Sequence, residues 1–549
     1  MSDAVKHECA VAMVRLLKPE VASTVGLARL VLLLEKQHNR GQDGAGMAVF
    51  RSEPVPGEPA YRVVKSAAAN PLADLLARSA RICDGFDARG FLGHLRYATF
   101  GKGDERFCHP FVHASPRLRR TLFLAGNFNL TNTRDLFDAY VRLGKHPDSD
   151  SDGYLITEWL ASEMLHAEMR GIDGRDDVLA AALQAVLARM DGAYTLCGMT
   201  GDGWCFAVRD PHGIRPGFYC IRADAVSVAS ERPAIQAAFD CGTDEVCELE
   251  PGVAMLVSPE GRITFRRICP PAVKRSCVFE RIYFSRANDA GIHRERKALG
   301  AALAKPILEA VDYDLEHTFF SYIPNSAQVA FHGLLEALWT EGLAEGHPVR
   351  FGQIAVKDAK FRTFIADAAA REEFYKHVYD VTYGLLRPGE DTLVVLDDSI
   401  VRGNTMKNAI LPMLDRLRPK KIIVASSAPP ICYPDCYGID MSSLGELVAF
   451  RALMRLRNAD APKTPAVLRA AYAAFPLKVL SEAIARLLTP DGMRADVAVI
   501  FQSVDALHAA CPDSAGDWYF TGDYPTPGGE RVLARAIENV LAHREGRSY

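Results

Sequence analysis

The sequence predicts an α+β half followed by an α/β half, and a change in apolar pattern along the chain carries the prediction. In the first half, short alternating segments such as "GWCFAVRD" and "AVSVAS" read as antiparallel strands. In the second, helical stretches alternate with continuous apolar runs such as "TLVVL" and "KIIVASS", the pattern of a buried parallel sheet. Between them "RRICPPAVKRSC", residues 266 to 277, brings a Pro-Pro pair and a cationic cluster directly after strand-like "VAMLVS" and "ITF", which marks a boundary. With 549 residues, 49% of them hydrophobic, the chain can bury two or more cores.

Taken in order, the first clear element is a helix, because Leu27, Leu30, Val31 and Leu34 fall at helical spacing up to about His38. "NRGQDGAGM", residues 39 to 47, follows it; taken alone, it reads as a helix end and a glycine-freed turn. An alanine-rich stretch from about Asn458 to Leu488 reads as helices broken by prolines. A net charge of -4, spread without long runs, gives no footprint for nucleic acid or an anionic membrane. "MSDAVKHECAVAM" lacks a signal-peptide core, and no apolar run reaches the roughly 20 residues that span a bilayer, so a cytoplasmic location is expected. There the 13 cysteines stay mostly reduced, and no CxxC pair suggests zinc or a redox dithiol.

The strongest local signal is "TLVVLDDSIVRGNT", residues 392 to 405. Its apolar run is a buried strand, so Asp397 and Asp398 fall at the C-terminal mouth of a parallel sheet, where such sheets bind ligands. Ser399, Gly403, Asn404 and Thr405 supply hydroxyls and a backbone able to wrap N–H groups around a phosphate ahead of the next helix. The two carboxylates suit sugar hydroxyls or a hard cation.

This pattern resembles the ribose-5-phosphate loop of type I phosphoribosyltransferases, and "DDSIVRG" is more narrowly similar to the amidophosphoribosyltransferase family. The resemblance extends through "RDPHGIRP" at 209, "CVFERIYFSR" at 277, "IPNS" at 323, "RTFI" at 362, "YGID" at 437 and "FTGDYPTP" at 520, in family order. It implies an N-terminal nucleophile hydrolase-like αββα glutaminase over residues 9 to 270 and a type I phosphoribosyltransferase with C-terminal helices over 271 to 549. "QHNRGQDGAG" then resembles the glutaminase signature, and Cys9 in "HECAVAM" resembles the junction where a propeptide, here residues 1 to 8, is removed. Removal frees an α-amino group, with a reference pKa near 8, to act as general base for its own thiol, which an amide nitrogen cannot do.

By the same resemblance, Asn127 and the backbone N–H of Phe128 in "AGNFNLTN" form an oxyanion hole, Arg96 and Asp150 bind the glutamine carboxylate and ammonium, and Arg40 supports the glutamine site. Phosphoribosyl pyrophosphate falls to Asp397, Asp398, Ser399, Arg402, Gly403, Asn404 and Thr405, with Lys360 and Arg362 on a flap. Ser326 joins the two aspartates at magnesium. The chain departs from the family at Ala10, Phe128 and Asn325, and "ADAAAR" alters the flap. A diverged paralogue, with one half turned into a nucleotide-sensing module, is the alternative that these departures favour. No iron–sulfur cluster is expected, because of its four cysteine positions only Cys277 is retained, with Asp435, Gly516 and Tyr519 at the others. The family further implies glutamine, phosphoribosyl pyrophosphate and inhibitory purine nucleotides as partners, and a homo-oligomer.

Overall fold

The computed structural model describes residues 8–51, 55–98, 101–340, 348–357 and 379–544. Two antiparallel sheets build its first half. In one, seven strands run in the order Cys247–Glu248, Phe218–Ile221, Ala225–Ala229, Ala10–Leu16, Ala88–Arg96, Gly44–Arg51, Tyr61–Ser66. In the other, six strands run from Ile263–Arg267 through Val253–Val257, Cys205–Arg209, Gly192–Thr200 and Leu122–Leu130 to Phe111–His113.

Strand alternation sorts side chains between the layers. Ala10, Ala12, Val14 and Leu16 face the outer helices Ser23–Lys36 and Arg232–Phe239, while Val11 and Met13 meet Phe123, Ala125 and Met199 of the second sheet. On the far side Leu122, Leu124 and Leu130 pack under the helices Asp152–Met169 and Arg175–Leu187. The result is helix, sheet, sheet, helix, the expected αββα arrangement.

The second half is built on five parallel strands ordered Arg350–Phe351, Thr318–Tyr322, Thr392–Asp397, Lys421–Ser426, Asp496–Phe501. Strand order reverses between Thr318–Tyr322 and Thr392–Asp397, since the chain steps outward to Arg350 before returning to the other side. That reversal opens a crevice at the C-terminal strand ends. In the alanine-rich stretch, helices Pro465–Ala473 and Leu477–Leu488 are separated at Pro476, as the sequence predicts. The two halves share one apolar cluster, in which Ala193 and Ile214 sit with Cys277, Phe279 and Tyr437. Polar ties cross the seam as well: Asn129 Nδ2 donates to the Cys436 carbonyl at 2.7 Å, and Asp191 accepts from Thr526 Oγ1 at 2.6 Å and Gly528 N–H at 2.8 Å. Asp191 and Pro527 thereby start the helix Pro527–Leu541, whose later residues lie over the first half.

Candidate active sites

Cys9 sits at the head of the strand Ala10–Leu16. The pairing of Ala10 with Leu95 sets Cys9 beside Tyr97, whose N–H donates to the Cys9 sulfur at 3.3 Å. The thiol returns a longer contact to the Tyr97 carbonyl at 3.8 Å. Burial pushes this thiol up to about 11, so it rests protonated and needs a base before it can attack.

The glycines of "NRGQDGAGM" are explained by crowding against this strand pair. Gly41 has φ +54°, and a Cβ on it would come 2.3 Å from the Leu95 carbonyl carbon. A Cβ on Gly46 would meet the His109 carbonyl at 2.0 Å. The loop also clamps the neighbouring strand end: Asp43 N–H donates to the Arg96 carbonyl at 3.0 Å, and Ala98 N–H donates to the Asp43 carboxylate at 3.1 Å.

Cys9, Arg96, Phe128 and Asp150 line one cavity of about 1000 Å³, to which Arg535 and Glu538 of the C-terminal helix also contribute. Arg96 Nη1 donates to the Gly101 carbonyl at 3.0 Å, and Asp150 is exposed. Asn127 alternates with Ala125 and Phe123 and so faces the sheet that carries Cys9; its Nδ2 is buried and has no hydrogen-bond partner among the described residues. Phe128 keeps an extended backbone paired with Tyr194, with no positive φ. Its phenylalanine side chain therefore does not disturb the strand. Gly126, two residues earlier, turns both its N–H and its carbonyl away from the Gly192–Thr200 strand, toward His109 Nδ1 at 3.3 Å and His94 Nε2 at 3.0 Å. By the period of two, the Phe128 N–H faces the same open edge.

Arg40, expected at the glutamine site, is held by carboxylates. It is fully buried and spends its guanidinium on Glu231 at 2.7 Å, Glu280 at 2.5 Å and Glu8 at 3.4 Å, which ties the loop to the second half. His94 and His109 went unread in the sequence. Their rings stack with centroids 4.1 Å apart, and both are buried and held neutral, His94 with its pKa pushed down to about 3 by desolvation. Isolated histidines in strand-like sequence carry no local sign of such pairing.

At the second site Asp397 ends its strand and Asp398 follows, at the crevice made by the reversal of strand order. Asp398 accepts from Ser399 Oγ at 2.9 Å and from Ser326 Oγ, which arrives from the neighbouring strand's end. Burial raises the Asp398 pKa, while these hydroxyls and Arg296 oppose the rise. Asp397 accepts the Asp398 N–H at 2.9 Å. Gly403 has φ +80°, and a Cβ there would come 2.3 Å from Leu488 Cδ2. Asn404 is exposed and Thr405 half-buried at the start of the following helical segment. The Arg402 side chain is engaged, with Nε paired to Glu446 at 2.6 Å and Nη2 donating to the Asp440 carbonyl at 3.1 Å. Lys360 and Arg362 lie outside the described residues.

Among the described residues no group of three or more His, Cys, Asp or Glu side chains forms a dedicated metal cage. Two carboxylates and a hydroxyl at a strand mouth do fit magnesium, which keeps its waters and takes further oxygens from a phosphate substrate. The positions matching the family's cluster cysteines do not fit iron. Tyr519 fills the space beside Cys277, its oxygen accepting from Phe279 N–H at 2.6 Å and donating to the Gly516 carbonyl at 3.1 Å, with the Cys277 sulfur 3.5 Å away. Asp435 is bound by Trp518 Nε1 at 2.8 Å.

No family model matches the chain. It is 32% identical over 369 residues to the amidophosphoribosyltransferase of Pseudomonas aeruginosa, covering 65% of this chain and 70% of that protein. It is 30% identical over 422 residues to the Bacillus subtilis protein of the same name, covering 76% and 79%. Among solved structures it is similar to one described as the allosteric regulatory enzyme of purine biosynthesis, with a TM-score of 0.71 and 26% identity over 96% of this chain and 99% of the other. A glutamine phosphoribosylpyrophosphate amidotransferase from Bacillus subtilis, complexed with ADP and GMP, shares the fold with a TM-score of 0.68 at 24% identity, covering 94% and 97%.

Proposed function

The chain belongs to the amidophosphoribosyltransferase family, and on that premise we propose how its residues divide the reaction. The activity is glutamine-dependent synthesis of 5-phosphoribosylamine from phosphoribosyl pyrophosphate, the first step of purine synthesis. One observation carries the division. The same chain sets a half-buried thiol with Arg96, Phe128 and Asp150 at one cavity and an acidic pair at the reversal point of a parallel sheet.

In the glutaminase half, residues 9 to 270, the α-amine of Cys9 takes the thiol proton and the sulfur attacks the glutamine side-chain amide. Asn127 Nδ2 and the Phe128 N–H receive the oxyanion; the first has no competing protein partner and the second faces an open strand edge, which supports the role. Arg96 holds the substrate carboxylate and Asp150 its ammonium. Water then cleaves the thioester to glutamate. Ammonia passes along the apolar seam between the halves, because protonation in open solvent would remove its nucleophilicity.

In the transferase half, residues 271 to 549, Ser399 and the backbone of Gly403, Asn404 and Thr405 hold the 5-phosphate, and Asp397 and Asp398 hold the ribose hydroxyls. Arg402 joins them, steadied beside the loop by Glu446. Asp397 and Asp398, with Ser326 beside them, would hold magnesium, which when bound would supply charge neutralisation for the departing pyrophosphate. Lys360 and Arg362 cover that group. Purine nucleotides inhibit, a reading supported by the ADP and GMP in the related Bacillus subtilis structure, and the chain works in the cytoplasm as a homo-oligomer.

The test is pyrophosphate release and glutamate formation with glutamine and phosphoribosyl pyrophosphate supplied separately and together. Both products should appear together only with both substrates. Glutamate formed with no pyrophosphate under any condition would point to another ammonia acceptor.

A further inference from the structure

Glu8, the last residue of the proposed propeptide, is 2% exposed, an unusual burial for a residue due to be discarded. Its carbonyl accepts the Gly41 N–H at 2.9 Å. Its carboxylate lies between two guanidiniums, bonded by Arg215 Nη1 at one oxygen and by Arg40 Nη1 at the other. The two arginines are not equivalent. Arg40 keeps Glu231 and both oxygens of Glu280 without it. Among the described residues Glu8 is the only carboxylate bonded to the Arg215 guanidinium, whose Nε is buried with no partner. Arg215 is 1% exposed, and a Cβ on Gly438 would press within 2.5 Å of its Nη2, so it has little room to turn elsewhere.

We propose that Arg215 and Arg40 form a carboxylate slot that holds Glu8 in the precursor and sets the Glu8–Cys9 bond against Gly41, and that Arg215 then stays behind as a buried cation that keeps the new amine of Cys9 unprotonated. The proposal rests on reading residues 1 to 8 as a propeptide. Hydrolysis of the Glu8–Cys9 amide consumes one water and leaves an α-carboxylate on Glu8 and an α-amine on Cys9. When the segment departs, it takes one negative charge out of the slot and leaves both guanidiniums in place. A cation beside an amine favours its neutral form, the form a general base requires. The other charges around this junction are already engaged or act in both directions. Arg96 and Arg40 oppose Asp152 at Cys9, Glu231 and Glu280 are bonded to Arg40, and Asp435, which like Glu280 also feels the Arg215 charge, is bound by Trp518 and by the N–H groups of Tyr437 and Ile439.

Two measurements test it, with ammonia-dependent synthesis as the check that each variant is folded. In the full chain, Glu8→Ala should slow the appearance of protein beginning at Cys9 by about tenfold, read by intact mass, while Glu8→Asp retains most of the rate. In a chain produced directly from Cys9, Arg215→Gln should move the acidic limb of the glutaminase kcat/KM profile upward by about one pH unit, and Arg215→Lys should bring it back. Wild-type maturation by a folded Glu8→Ala chain overturns the slot. An unmoved limb in a folded Arg215→Gln chain overturns the cation. Full activity in wild-type protein that keeps residues 1 to 8 instead defeats the propeptide reading itself, and neither variant can produce that result.

Discussion

Gly126 is gripped from both sides by imidazoles, its carbonyl by His94 and its N–H by His109, and the oxyanion donors follow directly behind it. The grip on the N–H works only while His109 is neutral, because protonation of His109 Nδ1 would remove the acceptor that Gly126 needs. Burial lowers both pKa values, with Lys65 and Arg96 adding to the effect. The sign follows: stability from the pair is complete above the unfolded value near 6.5 and is lost as pH falls below it, for His94 through the window from about 6.5 to about 3. Chemical denaturation across that range should show the loss, and His109→Asn, which keeps an acceptor near Nδ1, should flatten the slope. Asn127 is simpler. Its amide has no structural partner to lose, so Asn127→Ala should lower glutamine-dependent kcat by about 10²–10³ with little change in melting temperature. A large drop in melting temperature would mean that the amide holds the fold instead.

The loop 39–47 shows how far local sequence carries and where it stops. Gly41→Ala adds a methyl group against the Leu95 carbonyl at a positive φ, so it should cost more than about 1 kcal/mol and misplace Cys9; urea unfolding and thiol labelling would measure the two effects. The need for glycine was legible, because glycine clusters announce unusual backbone. The strand Thr392–Asp397 was legible too, since a continuous apolar run ending in two aspartates admits few other readings. Arg40 was not, for its partners Glu231 and Glu280 lie about 190 and 240 positions away and no local pattern records them. The pairing of Arg402 with Glu446 was illegible for the same reason, since Glu446 lies on a separate segment. Phe128, a departure from the family, keeps an ordinary strand conformation, which accepts any side chain.

At the scale of the whole molecule the two sites are built on different sheets and joined by a seam that is part apolar cluster and part buried ion pairs, so their chemistry is separable while their coupling is not. Ammonia in solution can reach the transferase site without the glutaminase. Cys9→Ala should therefore abolish glutamine-dependent synthesis yet spare synthesis driven by high ammonium at alkaline pH, where free ammonia is abundant. Replacing Asp397 and Asp398 with asparagine keeps their volume but removes the charge that ribose and magnesium require, so both nitrogen sources should fail together, by about 10²-fold or more. Asp398 is also the buried anchor for Ser326 and Ser399, and an asparagine can accept from one hydroxyl and donate to the other once that hydroxyl rotates, so the fold should survive the change. Pyrophosphate release with each nitrogen source separates the outcomes. A folded Cys9→Ala chain that loses both activities would mean that the seam transmits the state of the thiol to the transferase site. Retained ammonia-driven synthesis in the double asparagine variant would place the ribose elsewhere in the crevice.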